Sequence, residues 1–278
     1  MQVSEINIYP IKSLGGISLN EASIEERGFK NDRRFMLIDE FGEFMTQRDF
    51  PKMATIKVNL DENGLNLSAQ NFENLHIPYK HEGEKINVQV WNSICEATLC
   101  DKKYGDWLSE VLQTKCELVY MADDSRRNIN AKFKLNDEIV SFADGYPFLI
   151  IGENSLNELN SRLENQIPMN RFRPNIVVQD SDSFAEDNWT KIKIGETIFR
   201  STKPCVRCVM TTVDQAEGVK TGKEPLQTLA QYRKASELFP TTYEKLGLSE
   251  NGVLFGQNLV AENFGEKIKV GDKIENLT

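Results

Sequence analysis

The chain has 278 residues, 40% of them hydrophobic and 27% charged, and carries 42 acidic against 33 basic side chains for a net charge of -9. That length supports one large domain or two ordinary ones, the composition is that of a folded soluble protein, and the acidic balance excludes a broad nucleic-acid footprint. Its 5 cysteines are an odd number, and the start "MQVSEINIYPIKSLGG" lacks a signal-peptide pattern, so reduced thiols in a cytoplasmic protein are expected rather than a disulfide framework.

The first hundred residues read as short strands: "VSEINIYPIKS", "FMLIDEFGEFMTQ", "ATIKVNLDENGLNLSA" and "KINVQVWNSICEATLC". Each is rich in β-branched and aromatic residues, and "DEFGEF" and "DENGLN" have the Gly and Asn of tight hairpin connections. An antiparallel sheet or barrel is expected here. The period then changes, because Tyr104, Trp107, Leu108, Val111 and Leu112 share one helical face. A second helix is expected in "ENSLNELNSRLENQ", with Ser155 and Glu158 in capping-box spacing and a Leu156, Leu159, Leu163 stripe. A third is expected to start at Glu224–Pro225 and run through "LQTLAQYRKA". Further strands are read in "NIVVQ", "KIKIGETIFRS", "VRCVMTTVD" and "IKVGDKIEN". No membrane span is expected, since even "VSFADGYPFLIIG" is interrupted by Asp144 and Gly145. The turn from apolar to charged in "ELVYMADDSRRN" divides the chain into two β-rich parts, 1–122 and 123–278.

Chemistry concentrates in "TKPCVRCVMTTVD", where Cys205 and Cys208 form a CxxC pair. No second pair completes a zinc site, and Lys103 stands where an iron–sulfur loop through Cys95 and Cys100 needs a third cysteine. The β-branched residues that follow Cys208 argue against a thioredoxin-like pair at a helix start. Two buried core thiols remain one reading. A single thiolate ligand for a soft metal, favoured by the flanking cations Lys203 and Arg207, is the other. No GxGxxG or GxxxxGK[ST] follows a strand, so neither a dinucleotide fold nor a P-loop is supported.

Six ordered motifs then carry a resemblance: "YPIKS" at 9–13, "DRRFMLID" at 32–39, "RFRPNIVV" at 171–178, "PCVRCVMTTVD" at 204–214, "KEPLQTL" at 223–229 and "FGQNLV" at 255–260. Together they resemble the MOSC-domain molybdenum enzymes, nearest to the amidoxime-reducing components and their bacterial relatives. The resemblance implies a mostly β protein with peripheral helices, a MOSC N-terminal β-barrel-like domain packed on a MOSC β-barrel domain. It implies a molybdenum–pterin cofactor (Mo-molybdopterin) with Cys208 as metal ligand and catalytic centre. Lys12 and Ser13 suit the pterin phosphate, Arg34 and Arg173 add bidentate contacts, Asn175 offers its amide to the pterin edge, and Arg207 lies at the cofactor. Gly145 and Tyr146 replace small hydroxyl residues of relatives, leaving backbone contact there, and Asn258 replaces an aromatic found in some relatives. Asp214 is a candidate proton donor, and both histidines are expected in ordinary loop or surface roles. The activity implied is two-electron reduction of N-hydroxylated compounds (amidoximes, hydroxylamines, N-hydroxylated bases). Electrons would come from a separate flavoprotein reductase, ferredoxin or cytochrome b5-type donor, with no nucleic-acid or membrane partner. A non-catalytic carrier of molybdenum cofactor or sulfur is the alternative.

Overall fold

A computed structural model describes residues 1–277. Its largest unit is an eight-stranded sheet with the spatial order Ile17–Leu19, Gln2–Ile8, Ile176–Gln179, Phe148–Gly152, Leu254–Ala261, Thr197–Val206, Lys191–Ile194 and Ile274–Asn276. The middle strands are near-continuous apolar runs, which suits strands covered on both faces. Phe148–Gly152 and Ile176–Gln179 pair in parallel, and the helix Glu153–Asn160 begins the crossover that parallel pairing demands. A bridge from Gln2 to Lys273, with the Gly271 N–H donating to the Val3 carbonyl, returns the end of the sheet to its start, so the sheet curls towards a barrel. Ile6, Ile8, Ile150, Ile176, Leu259 and Ile274 fill it, and Phe148 meets Phe29 and Phe199 edge-on at 4.9 and 5.2 Å.

The second unit has an antiparallel sheet of Phe35–Ile38, Glu117–Tyr120, Ser93–Leu99 and Lys85–Val90, and a meander of Lys57–Leu60, Gly64–Ser68 and Leu75–Pro78. The helix Lys102–Leu112 covers their core with Tyr104, Leu108, Val111 and Leu112, as its spacing predicts. Asp101 caps it by accepting the Lys103 N–H, and Gln113 ends it at φ 56°. The protein is thus mostly strands with peripheral helices. Among the described residues, no helix is long and apolar enough to cross a membrane.

Segment 9–13 joins the units, for Ile11 bridges to Phe35 and the Lys12 N–H donates to the Phe35 carbonyl at 2.8 Å. The spatial division therefore does not follow the chain: Gln2–Ile8 and Ile17–Leu19 lie in the sheet otherwise built from residues 148–276. Both expected hairpin turns form, each closed by an aspartate: Asp39 accepts from the Phe41 and Glu43 N–H groups, and Asp61 from those of Asn63 and Gly64.

Three local expectations fail. The Ser155–Glu158 capping box does not form, because Gly152 is the N-cap and the Ser155 hydroxyl donates to the buried Glu186 carboxylate while accepting from the Phe184 N–H. The third helix shortens to single turns at Leu226–Leu229 and Ala235–Leu238. The strand through the cysteines stops at Val206, after which Cys208 N-caps the 3-10 turn Val209–Thr212. His76 makes a half-exposed pair with Asp61, and the His81 ring packs edge-on against Phe35 and Tyr104.

Candidate functional site: a cationic pocket at the seam

The segment joining the two units enters a pocket. The carboxylate of Asp32, 1% exposed, accepts the Tyr9 N–H at 2.7 Å and fixes the chain's direction into it. Lys12 then points inward, its Nζ donating to the Phe142 carbonyl at 2.8 Å and to Asp144 Oδ1 at 2.5 Å. Burial pushes the Lys12 ammonium down to about 8, against the opposing pull of Asp144. Ser13 sits at φ 67°, and its carbonyl accepts from Gln47 Nε2. Arg127 shapes the opposite loop by donating to the carbonyls of Ser141, Ala143 and Asp144. Burial disfavours the charge of Asp144, yet Lys12 and Arg48 hold its carboxyl well below the usual carboxylate range. Arg48 also donates Nε–H to Cys208 Sγ at 3.3 Å, while its guanidinium lies 4.5 Å from the centre of the Trp91 ring.

The other wall comes from the stretch before Ile176–Gln179. Arg173 adopts φ 53°, and its guanidinium and that of Arg33 lie 4.1 and 4.3 Å from the centre of the Tyr9 ring. Arg33 donates to Asp32 at 2.6 Å and to Asn175 Oδ1 at 3.0 Å. Asn175 in turn donates Nδ2–H to the Asn7 carbonyl and to Asp32. Burial lowers the Arg173 guanidinium to about 10, and its Nη2 is buried without a hydrogen-bond partner. Arg207 donates to the Phe255 and Phe172 carbonyls at 2.7 and 3.1 Å, and its Nη2 is likewise buried and unpartnered. A side chain at Gly256, φ 79°, would put its Cβ 2.6 Å from Ile151 Cγ1 and 3.3 Å from that Nη2, so glycine is required beside it.

The cavity between these walls is narrow, about 110 Å³, and its lining carries the cations of Lys12, Arg33, Arg48, Arg173 and Arg207 against the single carboxylate of Asp144. It shares Arg173 with a cavity of about 410 Å³ beside Tyr9 and Gly16, and Asp144, Gly145 and Tyr146 with a depression of about 660 Å³ beside Trp91. Arg173 and Arg207, each with one guanidinium nitrogen left without a protein partner, line this cationic cavity, whose charge is suited to phosphate oxygens. Among the described residues no three His, Cys, Asp or Glu side chains gather as a metal site.

Of the residues read from sequence, Lys12, Ser13, Gly145, Tyr146, Arg173, Asn175 and Arg207 line this pocket. Space around Gly145 is open, with no atom within 4 Å of an added Cβ. Cys205 is in the lining and Cys208 reaches it through Arg48; burial pushes the Cys205 thiol up against the pull of Arg207. Asn258 lines it too, donating to the Lys203 carbonyl. Asn175 spends its amide on protein partners and so acts through Arg33 and Asp32. Arg34 is placed elsewhere: its guanidinium turns to the Met121 carbonyl and to Asp123 at 2.7 Å, lining a different cavity, while its neighbour Arg33 faces the pocket. Asp214 also lies outside the lining, paired with Arg171 at 2.9 Å. The N–H groups of Glu217 and Ala216 lower its carboxyl, as Arg171 does. Sequence reading missed Arg33, Arg48, Asp32 and the reciprocal amide pair of Gln47 and Gln215. Arg33 stood one position from the residue chosen in "DRRF", whereas Arg48 and the glutamines belong to no motif.

Residues 1–115 match the family described as the MOSC N-terminal beta barrel domain, and residues 137–275 match the MOSC domain. The chain is 34% identical, over 98% of its length and 81% of the relative's, to a protein named mitochondrial amidoxime-reducing component 1 from Mus musculus. This chain belongs to the MOSC family of the amidoxime-reducing components. Within that family it is also 35% identical to component 1 from Homo sapiens and 31% identical to component 2 from Rattus norvegicus, in each case over 98% of this chain and 82% of the relative. The two MOSC matches meet in the pocket, which draws Lys12, Arg33 and Arg48 from the first and Asp144, Arg173 and Arg207 from the second.

Proposed function

We propose that this MOSC protein is a molybdenum-cofactor-dependent reductase of N-hydroxylated compounds. The observation that carries the reading is a cavity lined by five cations, two of them with a guanidinium nitrogen that has no protein partner, beside a cysteine sulfur held by Arg48. The names of the relatives supply the substrate class, amidoximes, and the MOSC family the link to molybdenum cofactor. Lys12, Ser13, Arg33, Arg173 and Arg207 would hold the phosphorylated pterin, and Cys208 would ligate the metal. When bound, the molybdenum–pterin group supplies the change of oxidation state that removes oxygen from nitrogen. The reaction consumes two electrons and two protons as the N–O bond breaks, releasing the amidine or amine and water. Substrate would approach from the Trp91 side, where Asp144, Gly145 and Tyr146 are shared with the open depression.

The protein's own part is to bind, exclude water and place protons. Asp214 is ionised and tied to Arg171, so its role here is to position the 212–221 hairpin, whose Thr212 carbonyl Arg171 also holds at 3.0 Å. Burial brings Lys12 Nζ to about 8 in the cofactor-free pocket, and a phosphate beside it would favour its charged form. A separate donor protein would supply the two electrons. A cytoplasmic location belongs to the same proposal, although the relatives are named mitochondrial. The test is reduction of benzamidoxime by dithionite-reduced methyl viologen, using protein expressed in a host that makes the cofactor. Turnover supports the reductase; cofactor-loaded protein without turnover leaves the carrier reading.

A further inference from the structure

The wall that carries the two cysteines has an outer side. Arg207 lines the inner pocket and also a surface depression of about 750 Å³; along this stretch Cys205 and Met210 face the pocket while Val206 and Val209 face the depression. Val206 and Val209 are 41% and 48% exposed there, although most large apolar side chains of this protein are buried. Lys220 and Lys223 border them, and neither forms an ion pair among the described residues. The lining holds no carboxylate, and the adjacent Glu224 turns its own to the Thr228 N–H at 3.1 Å. An apolar centre with an unpaired cationic border, on a chain of net charge -9, complements a partner surface that is apolar and negative.

We propose that this depression is the docking surface of a small acidic one-electron carrier protein. The proposal rests on the reductase reading above. A substrate must touch the reacting centre, whereas an electron can cross intervening protein, and the stretch that carries Cys208 contributes lining residues to both sides. The substrate side is already supplied by the opening at Asp144–Tyr146, across the pocket. Each encounter oxidises one carrier by one electron, and two encounters supply the electrons that one N–O cleavage consumes, with two protons drawn from solvent.

The test is the double variant Lys220→Glu/Lys223→Glu in the cofactor-loaded protein; both side chains are exposed, and neither belongs to the pocket. Benzamidoxime reduction is driven in parallel by dithionite-reduced methyl viologen and by three reduced acidic carriers: a [2Fe–2S] ferredoxin, a flavodoxin and a soluble cytochrome b5. The expected result is unchanged viologen-driven turnover with a fall of about tenfold or more in kcat/KM for the best carrier. In the parent, the carrier-driven rate drops between about 50 and about 300 mM salt, and the variant loses that dependence. Equal carrier kcat/KM in parent and variant overturns the proposal. So does a parent that turns over with viologen but with none of the three carriers. A raised benzamidoxime KM in the viologen assay would instead assign the depression to substrate. No viologen turnover in the loaded parent overturns the reductase reading, and this proposal with it.

Discussion

Asp32 makes the most consequential buried contact in the pocket's frame, and its removal has a calculable effect. Its carboxylate accepts the Tyr9 N–H at 2.7 Å, Arg33 Nη1 at 2.6 Å and Asn175 Nδ2 at 3.2 Å. Asp32→Ala leaves the Tyr9 N–H without its acceptor and Arg33 without its carboxylate, although Arg33 keeps Asn175 Oδ1 and Asn175 keeps the Asn7 carbonyl; water has little access, because Asp32 and Asn175 are each 1% exposed. An unsatisfied buried donor costs roughly 1–3 kcal/mol, and removing one partner of a buried ion pair roughly 3–5 kcal/mol. The three contacts share one network and do not add, so the loss should be about 3–5 kcal/mol. At about 2–4 °C per kcal/mol for chains approaching this size, the melting midpoint should fall by about 6–20 °C. Asp32→Asn keeps an acceptor for Tyr9 and loses the ion pair, so it should fall between parent and alanine variant. Calorimetry on the three proteins decides it. An alanine variant melting within about 2 °C of the parent would refute the reasoning, for it would mean that water or rearranged side chains satisfy donors the structure shows as buried.

Lys12→Ala and Arg173→Ala should each lower cofactor retention about tenfold or more, the loss of one charge-assisted hydrogen bond of roughly 1.5–3 kcal/mol, as read by pterin fluorescence after gel filtration. Cys208→Ser should abolish benzamidoxime reduction with cofactor still bound, whereas Cys205→Ser should be milder; an active Cys208→Ser beside a dead Cys205→Ser would reverse the ligand assignment. Cofactor-free protein should gain stability as pH rises from about 8 towards the ordinary lysine value of 10.5, because in that window the unfolded chain binds a proton that folded Lys12 has released. Urea unfolding across this range should show the upward slope in the parent and a flatter one in Lys12→Met.

Much of this architecture was legible because local chemistry and global fold agree. Tyr104, Leu108 and Val111 lie on one helical face and bury it, and Asp39 and Asp61 close the hairpins their sequences announce. Where tertiary partners intervene, local reading fails. Ser155 had a capping-box partner at Glu158, but the buried carboxylate of Glu186 competes for its hydroxyl, and burial raises that carboxyl in turn. The β-branched run after Cys208 has strand propensity, yet no neighbouring strand continues the pairing beyond Val206, and the chain turns. The pocket shows the same limit. Lys12, Arg173 and Arg207 stand in recognisable motifs, but adjacent arginines in "DRRF" line different cavities, and the one in the pocket is Arg33, at φ 48°. Arg48 meets Cys208 across 160 positions of sequence, a contact that only the packing of the two units creates.

The central claim is that the seam pocket holds a molybdenum–pterin group through its cations and Cys208. Metal analysis and pterin fluorescence on protein freshly purified from a cofactor-competent host test it most directly. Molybdenum and pterin should be found together at about one of each per chain, both lower in Arg173→Ala. Stoichiometric zinc with no pterin would contradict it.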